Sequence, residues 1–221
     1  MNYDRIYAYR FKDINQDQRQ HVWTEITQFI EAKLKNPVTI LDPASGRCEF
    51  INASVASEKW AVEQSSQLHA FAADDIRVIQ DDIFRADLPK TYFDGIFVSN
   101  FLEHLHSPDD IATFLEKMYD VLRAGGRIAV IGPNFKRCPS VYFDCADHVL
   151  VLTETSVAEH LYGAGFEIIE VRKSFLPFSF RGLLPPSRRL TKLYLQCPWA
   201  WPLLGKQFLV IGEKTQTTLV Y

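Results

Sequence analysis

The stretch VTILDPASGRCEF, residues 38–50, decides the fold of this chain. It begins with a short, mostly apolar run, which is typical of a buried strand. An acidic residue and several small residues follow, and a tight loop of this kind lets backbone amides at the start of a helix face a carboxylate or phosphate group. We therefore predict a strand that leads directly into a ligand-binding loop.

Strand-like and helix-like segments alternate on both sides of this stretch, which favours an α/β fold with a parallel sheet between helices. Residues 16–35 place apolar side chains at helical spacing. Ser107 and Pro108, followed by two acids, predict the start of another helix, and the glycines at 125–126 predict its end. The remaining predicted segments are a helix at 153–165 and strands at 60–62, 77–79, 93–98, 127–131, 167–171 and 207–212.

The composition excludes several classes of protein. A chain of 221 residues that is 47% hydrophobic, with a net charge of −3, describes one globular domain and excludes disorder. No apolar run approaches the roughly 20 residues of a membrane span, and the near-balanced charge argues against a basic nucleic-acid binder. The first residues lack the layout of a secretory signal and the four cysteines form no CxxC pair, so we expect a cytoplasmic protein.

Polar residues follow the predicted strands at the edge where open parallel sheets bind ligands. Glu63 ends the second strand, where a carboxylate can accept both hydroxyls of a ribose. Asp81 and Asp82 follow the third strand, and Ile83 comes next, so an acid can bind an adenine amino group while an aliphatic chain covers the ring. Asn100 follows the fourth strand, near the centre of the expected cleft.

From about residue 39 to 171 the chain resembles the class I S-adenosylmethionine-dependent methyltransferases. The first motif of that family reads D-x-G-x-G-x-G, and its four marked positions hold Asp42, Ala44, Gly46 and Cys48 here. Residues 93–104 and 122–127 are also similar to blocks of the family. The resemblance implies a Rossmann-like class I methyltransferase fold, with a mostly parallel seven-stranded sheet, an antiparallel last strand and helices on both faces.

The resemblance also implies S-adenosylmethionine as methyl donor and S-adenosylhomocysteine as product. In this family the first loop borders the methionine portion, the second strand supplies a ribose ligand, and the next two strand ends hold the adenine and lie under the sulfonium. The residues assigned to the cofactor on this basis are Asp42, Ala44, Ser45, Gly46, Glu49, Phe50, Glu63, Gln64, Asp81, Asp82, Ile83, Asn100 and Phe101. A Rossmann dehydrogenase fits less well, because it needs G-x-G-x-x-G after the first strand and the chain has one glycine there.

Two of the six histidines are predicted to lie at the functional edge of the sheet. An oxygen nucleophile must lose its proton, and histidine is the base best suited to neutral pH. His148 follows the fifth strand and is the first candidate, with Asp147 or Asp144 orienting its ring. His104 follows the fourth strand and is the second. The alternative is that these histidines bond or brace loops.

No metal is expected in the site. Glu103 and His104, with a later histidine, resemble part of the E-x-x-E-H metal-binding pattern of small-RNA 2′-O-methyltransferases. Asn100 stands where that pattern has its first glutamate, and an amide is a poorer ligand than a carboxylate.

Residues 172–206 form a predicted insertion before the last strand, at the position where this family carries a substrate-facing cap. The insertion mixes aromatic and basic residues, so it is either a small satellite core or a pocket for an acceptor with an anionic group and a sugar or apolar part. Residues 172–214 contain eight Lys or Arg and one acidic residue, against 16 and 26 in residues 1–171. The residues assigned to the substrate are Asp147, Arg181, Arg188 and Trp199.

The predicted organisation within one domain is an N-terminal helical segment (1–36), an S-adenosylmethionine-binding core (37–171), a basic and aromatic cap (172–206) and a final strand with a tail (207–221). The chain resembles small bacterial methyltransferases of surface-polysaccharide and glycolipid biosynthesis. We therefore predict methyl transfer to a hydroxyl of a sugar or of a phosphate-bearing, nucleotide- or lipid-linked intermediate. A non-catalytic protein with the methyltransferase fold and a nucleic-acid methyltransferase are the alternatives.

The expected partner is a small-molecule or glycan acceptor that carries negative charge. We expect no stable nucleic-acid partner. The basic cap also predicts peripheral contact with an anionic membrane surface. The sequence carries no signal for a particular oligomeric state.

Overall fold

A seven-stranded sheet forms the centre of the computed structural model, which describes residues 3–12, 15–178 and 187–215. The strand order is β3-β2-β1-β4-β5-β7-β6. The strands are β1 (Thr39–Asp42), β2 (Glu58–Val62), β3 (Ile76–Ile79), β4 (Phe93–Ser99), β5 (Leu122–Pro133), β6 (Glu167–Arg172) and β7 (Gln207–Glu213). Strands β1 to β5 pair in parallel, whereas β7 runs antiparallel to both β5 and β6. The predicted class I methyltransferase fold is confirmed.

The helices surround the sheet, and polar side chains cap the long ones. Asn15 accepts a hydrogen bond from the amide of Gln18 at the start of α2, and Ser107 accepts one from Asp110 at the start of α5, as predicted. The helices are α1 (Tyr3–Arg10), α2 (Gln16–Lys33), α3 (Glu49–Ala53), α4 (Leu68–Phe71), α5 (Pro108–Val121), α6 (Glu154–Gly163), α7 (Arg188–Leu195) and α8 (Trp201–Leu204).

The end of α5 differs from the prediction. The two glycines at 125–126 were expected to end this helix, but α5 ends at Val121 and the next residue already pairs in β5. Gly125 has a φ of 79° within β5, and its amide donates to the main-chain oxygen of Lys214. The register between β4 and β5 shifts beside it. Glycine therefore supplies a left-handed residue in an irregular strand, not a helix end.

The core lies on both faces of the sheet, as in most parallel sheets. Strand β4 shows this, because Ile96 and Val98 belong to one buried cluster while Phe97 between them belongs to the other. Helices α5 and α6 cover the first cluster, and α2 with the cap helix α7 covers the second. Because β1 to β5 are parallel, they all end at the same edge of the sheet.

A prediction concerns Gly205, where the cap returns to the sheet. A Cβ atom at this position would stand 2.7 Å from the backbone nitrogen of Phe175 and 2.7 Å from the oxygen of Trp201. Backbone atoms cannot rotate away, so we expect Gly205→Ala to lower the free energy of unfolding by about 1–3 kcal/mol in urea denaturation. Gly163→Ala is the control, because a Cβ there meets no atom within 4 Å. Equal stability of the two variants would contradict this account.

Candidate active site

The loop after β1 turns sharply at the ligand-binding edge of the sheet. Asp42 is buried at the end of β1. Gly46 has a φ of 53°, and open space lies where its Cβ would be. Cys48 also takes a left-handed conformation, with a φ of 61°, as it leads into α3. The surviving glycine of the predicted motif therefore stands where the backbone turns and where a ligand can approach it closely.

Glu63 binds this loop directly. Its carboxylate accepts hydrogen bonds from the amides of Gly46 and Ser65, each at 3.0 Å. The amide of Ser45 donates to the main-chain oxygen of Val62 at 3.1 Å, so the ends of β1 and β2 are joined by main chain as well. Each carboxylate oxygen of Glu63 can accept a further hydrogen bond. The structure thus brings Glu63 and the β1 loop together, beside Ala44 and the exposed Gln64.

The end of β1 is electrostatically negative. Burial raises the pKa of Asp42 well above its usual range, and the nearby charges of Glu63 and Glu49 raise it further. A hydrogen bond from the Ala44 backbone has the opposite effect. Burial also raises the pKa of the Cys48 thiol to about 12. The thiol is therefore protonated and unreactive at neutral pH.

The residues after β3 form a local turn. Asp82 accepts a hydrogen bond from the amide of Phe84 at 3.0 Å, and Asp81 accepts one from the amide of Asp82 at 2.7 Å. Asp81 also pairs with Arg85 at 3.2 Å. Ile83 is buried in the first core cluster. The turn leaves Asp82 half-buried at the end of β3.

Two of the residues assigned to the cofactor point elsewhere in this structure. Glu49, at the start of α3, forms an ion pair with Arg19 of α2. The ring of Phe50 stacks on Phe97 in the core, with centroids 4.0 Å apart. Helix α3 packs against α2. The apolar face of α3 is therefore turned into the protein, away from the β1 loop.

Asn100 stands at the end of β4 in a left-handed conformation, with a φ of 49°. The main-chain amide of Asn100 donates to the main-chain oxygen of Ile131 at 2.9 Å, and this bond fixes the loop against β5. Its side chain is exposed and donates to the Ser99 hydroxyl at 2.9 Å. Phe101 packs on Phe114, with ring centroids 4.9 Å apart. Asn100 is thus held at the strand end with its side chain toward solvent.

The main chain of Glu103 joins the loops after β4 and β5. Its oxygen accepts hydrogen bonds from the amides of Val149 and Leu150, at 2.8 and 3.1 Å. Because of these bonds His104 and His148 lie side by side, with their ring centroids 5.1 Å apart. The two histidines chosen from the sequence are therefore neighbours.

The Glu103 carboxylate lies between these two rings. Its Oε1 is 4.0 Å from Nε2 of His104 and 4.0 Å from Nε2 of His148. Nδ1 of His104 lies 2.8 Å from the main-chain oxygen of Asp147, so Nδ1 carries the proton and Nε2 is free to accept. Ligand atoms from Glu103 and the two histidines all lie within 4.8 Å of one another, a spacing that could hold a metal ion. Glu103, His104, Asp147 and His148 are called the histidine cluster below.

Within the residues that the structure describes, the histidine cluster has buried polar atoms without hydrogen-bond partners. They are both carboxylate oxygens of Glu103, Oδ2 of Asp147 and Nδ1 of His148. Glu103 is only 1% exposed. Because unpaired buried polar atoms are costly and rare, this concentration in one place marks a site that a polar ligand would complete.

Burial controls the charge of the histidine cluster. It lowers the pKa of His148 to about 4, and the neighbouring His104 lowers it further. It raises the pKa of Glu103, against the opposing effect of His104. Burial would also raise the pKa of Asp147, but a hydrogen bond from Arg10 and the charges of His104 and Arg10 hold it below its usual value. His148 is therefore neutral at neutral pH, and Asp147 is ionised.

Helix α1 supplies two further residues that the sequence analysis missed. Arg10 pairs with Asp147. Burial raises the pKa of Tyr7, and the carboxylates of Asp147, Glu63 and Glu103 raise it further. The Arg10 guanidinium lies 5.2 Å from the centre of the Tyr7 ring. A tyrosine and an arginine three positions apart on one helix face were the only sequence signal.

The cap residues chosen from the sequence are scattered. Arg188 pairs with Glu25 of α2 at 2.6 Å, and Trp199 is exposed. Arg181 lies outside the described residues. Phe178, which the prediction did not name as a substrate residue, lies near the histidine cluster, with its ring centroid 6.4 Å from that of His148.

Comparisons with known proteins agree with this geometry. Residues 32–130 match a family model described as a methyltransferase domain. A SAM-dependent methyltransferase from Archaeoglobus fulgidus has a TM-score of 0.70 at 17% identity, over 96% of this chain and 100% of that one. A SAM-dependent methyltransferase from Thermotoga maritima, described as a possible histamine N-methyltransferase, has a TM-score of 0.68 at 13% identity, over 96% and 99% of the two chains.

The same fold also occurs in the [4+2]-cyclase SpnF, with a TM-score of 0.63 at 15% identity, over 87% of this chain and 80% of that one. At these identities the structural likeness establishes the fold alone. A search of curated proteins finds no match. Residues 32–130 thus match a methyltransferase domain, and the whole chain has the fold of the class I S-adenosylmethionine-dependent methyltransferases, with S-adenosylmethionine as cofactor.

Proposed function

We propose that this chain transfers a methyl group to a hydroxyl of a small polar acceptor, namely a sugar or a phosphate-bearing, nucleotide- or lipid-linked intermediate. The observation that carries the proposal is the histidine cluster, where a buried carboxylate without partners lies 4.0 Å from a histidine that is neutral at neutral pH. A carboxylate that only accepts hydrogen bonds suits an acceptor with several hydroxyl donors. A neutral imidazole suits removal of a hydroxyl proton.

The residues at the ends of β1 to β4 fit the cofactor. Open space over Gly46 admits a ligand close to the backbone, and Glu63 keeps lone pairs for ribose hydroxyls. Asp82, beside the buried Ile83, would bind the adenine edge, and Asn100, left-handed at the end of β4, would lie under the sulfonium. When bound, S-adenosylmethionine supplies a methyl group that is already activated by its sulfonium. The protein must therefore chiefly position the acceptor and exclude water.

The charge of the cleft supports this assignment. Burial raises the pKa of Asp42, and the negative charges of Glu63 and Glu49 raise it further. The Glu63 carboxylate at this strand end attracts a cationic ligand. The sulfonium and the amino group of the cofactor are both cationic.

The acceptor hydroxyl would lose its proton to His148 as its oxygen bonds to the methyl carbon, while the bond between that carbon and the cofactor's sulfur breaks and S-adenosylhomocysteine leaves with the electron pair. Glu103 would accept a hydrogen bond from a second hydroxyl and hold the acceptor in place. The hydrogen bond between Nδ1 of His104 and the main-chain oxygen of Asp147 orients the His104 ring, and Arg10 donates a hydrogen bond to the Asp147 carboxylate. We infer that His148 is the base and that His104 and Asp147 position the acceptor. Arg188 and Trp199 remain candidates for contact with more distant parts of the acceptor.

Two alternatives are separable by experiment. A non-catalytic protein of this fold would bind S-adenosylhomocysteine in calorimetry without methylating any acceptor. A nucleic-acid methyltransferase would methylate oligonucleotides in preference to sugars. Incubation with panels of nucleotide sugars, lipid-linked sugars and oligonucleotides, followed by mass spectrometry for the gain of one methyl group, distinguishes all three.

The first prediction concerns Glu63. Its carboxylate accepts two backbone hydrogen bonds and is proposed to accept ribose hydroxyls. We expect Glu63→Ala to weaken the binding of S-adenosylhomocysteine by roughly 10- to 100-fold in titration calorimetry, because charge-assisted hydrogen bonds are lost. Glu167→Ala, at the exposed start of β6, is the matched control and should bind normally. Unchanged affinity of a folded Glu63→Ala protein would disprove the ribose role.

The second prediction concerns His148. We expect His148→Ala to reduce methyl transfer by at least about 100-fold while the affinity for S-adenosylhomocysteine stays the same, because general-base catalysis is lost. His21→Ala, on the exposed side of α2, serves as control. Full turnover by the His148 variant would end its assignment as the base.

The pH dependence follows from the lowered pKa of His148, about 4. A base acts in its deprotonated form, so turnover should stay level from about pH 8 down to about pH 6 and decline only as the pH approaches 4. The initial rate of methyl transfer measured across this range checks the expectation. A decline centred near pH 6.5 would mean that an ordinary, solvated histidine is the base.

A further prediction concerns metal ions. The activated methyl group needs no Lewis acid, so dialysis against a chelator should leave turnover unchanged. The histidine cluster makes the experiment informative, since three of its residues have ligand atoms within 4.8 Å of one another. Loss of turnover that a divalent ion restores would instead identify Glu103, His104 and His148 as metal ligands.

A further inference from the structure

The outer side of the cap exposes a group of large apolar side chains, which we call the cap face. It is formed by two leucines of α7, two leucines of α8 and a tryptophan between these helices. Their exposed fractions are 45% for Leu190, 58% for Leu193, 76% for Trp199, 78% for Leu203 and 52% for Leu204. Five such residues within fifteen positions exceed the scattered exposure that is normal on a protein surface.

The cap is firmly anchored on its inner side, so these exposures belong to a packed structure. Trp201 is buried, and its Nε1 donates to the main-chain oxygen of Tyr194 at 3.0 Å. Its ring packs on Phe175 and Phe29, with centroids 5.2 and 5.7 Å away. The hydroxyl of Tyr194 donates to the main-chain oxygen of Phe175. The cap helices therefore use one side for the core and present the other side outward.

The charge around the cap face has one sign. Residues 187–206 contain four Lys or Arg and no Asp or Glu. Arg188 is neutralised by Glu25 of α2. Within the described part of the chain, Arg189, Lys192 and Lys206 are exposed and form no ion pair. Arg189 and Lys192 lie one turn apart on α7, as do Leu190 and Leu193, so basic and apolar side chains alternate along the exposed side.

We propose that the cap face docks on an anionic lipid membrane surface. Leucine and tryptophan side chains insert at the boundary between headgroups and acyl chains, while lysine and arginine bind anionic headgroups. Within the described ranges no helix is both long and apolar enough to cross a bilayer, so the contact is peripheral. The proposal goes beyond the proposed function, because it concerns a surface whose occupant does not depend on the identity of the acceptor.

The position of the cap gives this contact a functional meaning. The amide of Lys206 donates to the main-chain oxygen of Leu176 at 2.8 Å, so the end of the cap is tied to its beginning. Two residues beyond Leu176, the ring of Phe178 approaches His148. The segment from Leu176 to Phe178 therefore contacts the end of the cap through Leu176 and lies near the histidine cluster through Phe178. The arrangement would let an acceptor held at a membrane surface enter the site.

The test uses the full chain and vesicles of phosphatidylcholine with or without about one third phosphatidylglycerol, at low salt. We expect co-sedimentation with the anionic vesicles and little with the neutral ones. Lys192→Gln should weaken binding about fivefold, since one basic charge near the surface is lost. Leu193→Gln combined with Leu203→Gln should abolish it. Tyr162→Gln, which changes another highly exposed apolar residue on α6, is the matched control and should bind normally.

Tryptophan fluorescence locates the contact. The chain has four tryptophans, and Trp23, Trp60 and Trp201 are buried, so a vesicle-dependent blue shift reports on Trp199. Trp199→Phe should keep most of the binding and lose the shift.

Three results would overturn the proposal. The first is no binding of the wild type to anionic vesicles, and the second is equal loss of binding in the Tyr162 control. The third is self-association that the double leucine variant abolishes without any vesicle binding, which would make the cap face an interface between copies of this chain.

Discussion

The main-chain oxygen of Glu103 accepts two amide hydrogen bonds from the loop after β5, and the candidate site depends on this contact. It ties the end of β4 to the end of β5, and it also brings the Glu103 carboxylate between two imidazoles. Gly132 of β5 lies beneath this carboxylate, and a Cβ there would stand 2.9 Å from the ring of Phe208 and 3.5 Å from the carboxylate. Close approach of strand, ring and carboxylate therefore needs a residue without a side chain.

Much of the fold could be predicted from the sequence because its signals are local. A buried strand such as β4 is an apolar run, and the capping serine at 107 is recognisable from its own neighbours. The order of acids after the strands was equally readable, since a strand end is followed by the loop that it positions. Glu63 follows β2 and accepts a hydrogen bond from the amide of Gly46 at this edge.

What could not be predicted depends on contacts between distant segments. Gly125 carries the usual mark of a helix end, yet its conformation is used inside β5 because pairing with β4 and β7 extends that strand. The partner of Asp147 is Arg10, 137 positions away, and no local pattern announces such a pair. Glu103 was read only as part of a metal pattern, because its burial and its missing hydrogen-bond partners are properties of the folded chain.

The antiparallel placement of β7 between β5 and β6 has a consequence for how such proteins diversify. Because β6 runs in the same direction as β5, its last residue and the first residue of β7 both lie at the ligand-binding edge. The chain between them must leave and re-enter the sheet beside the active site, whatever its length. Recombination that exchanges this segment between related proteins would replace the cap and its exposed surface while leaving β1 to β4 and the loops that follow them unchanged. The connection between β6 and β7 is therefore a position at which a segment can be exchanged without altering the order of the strands.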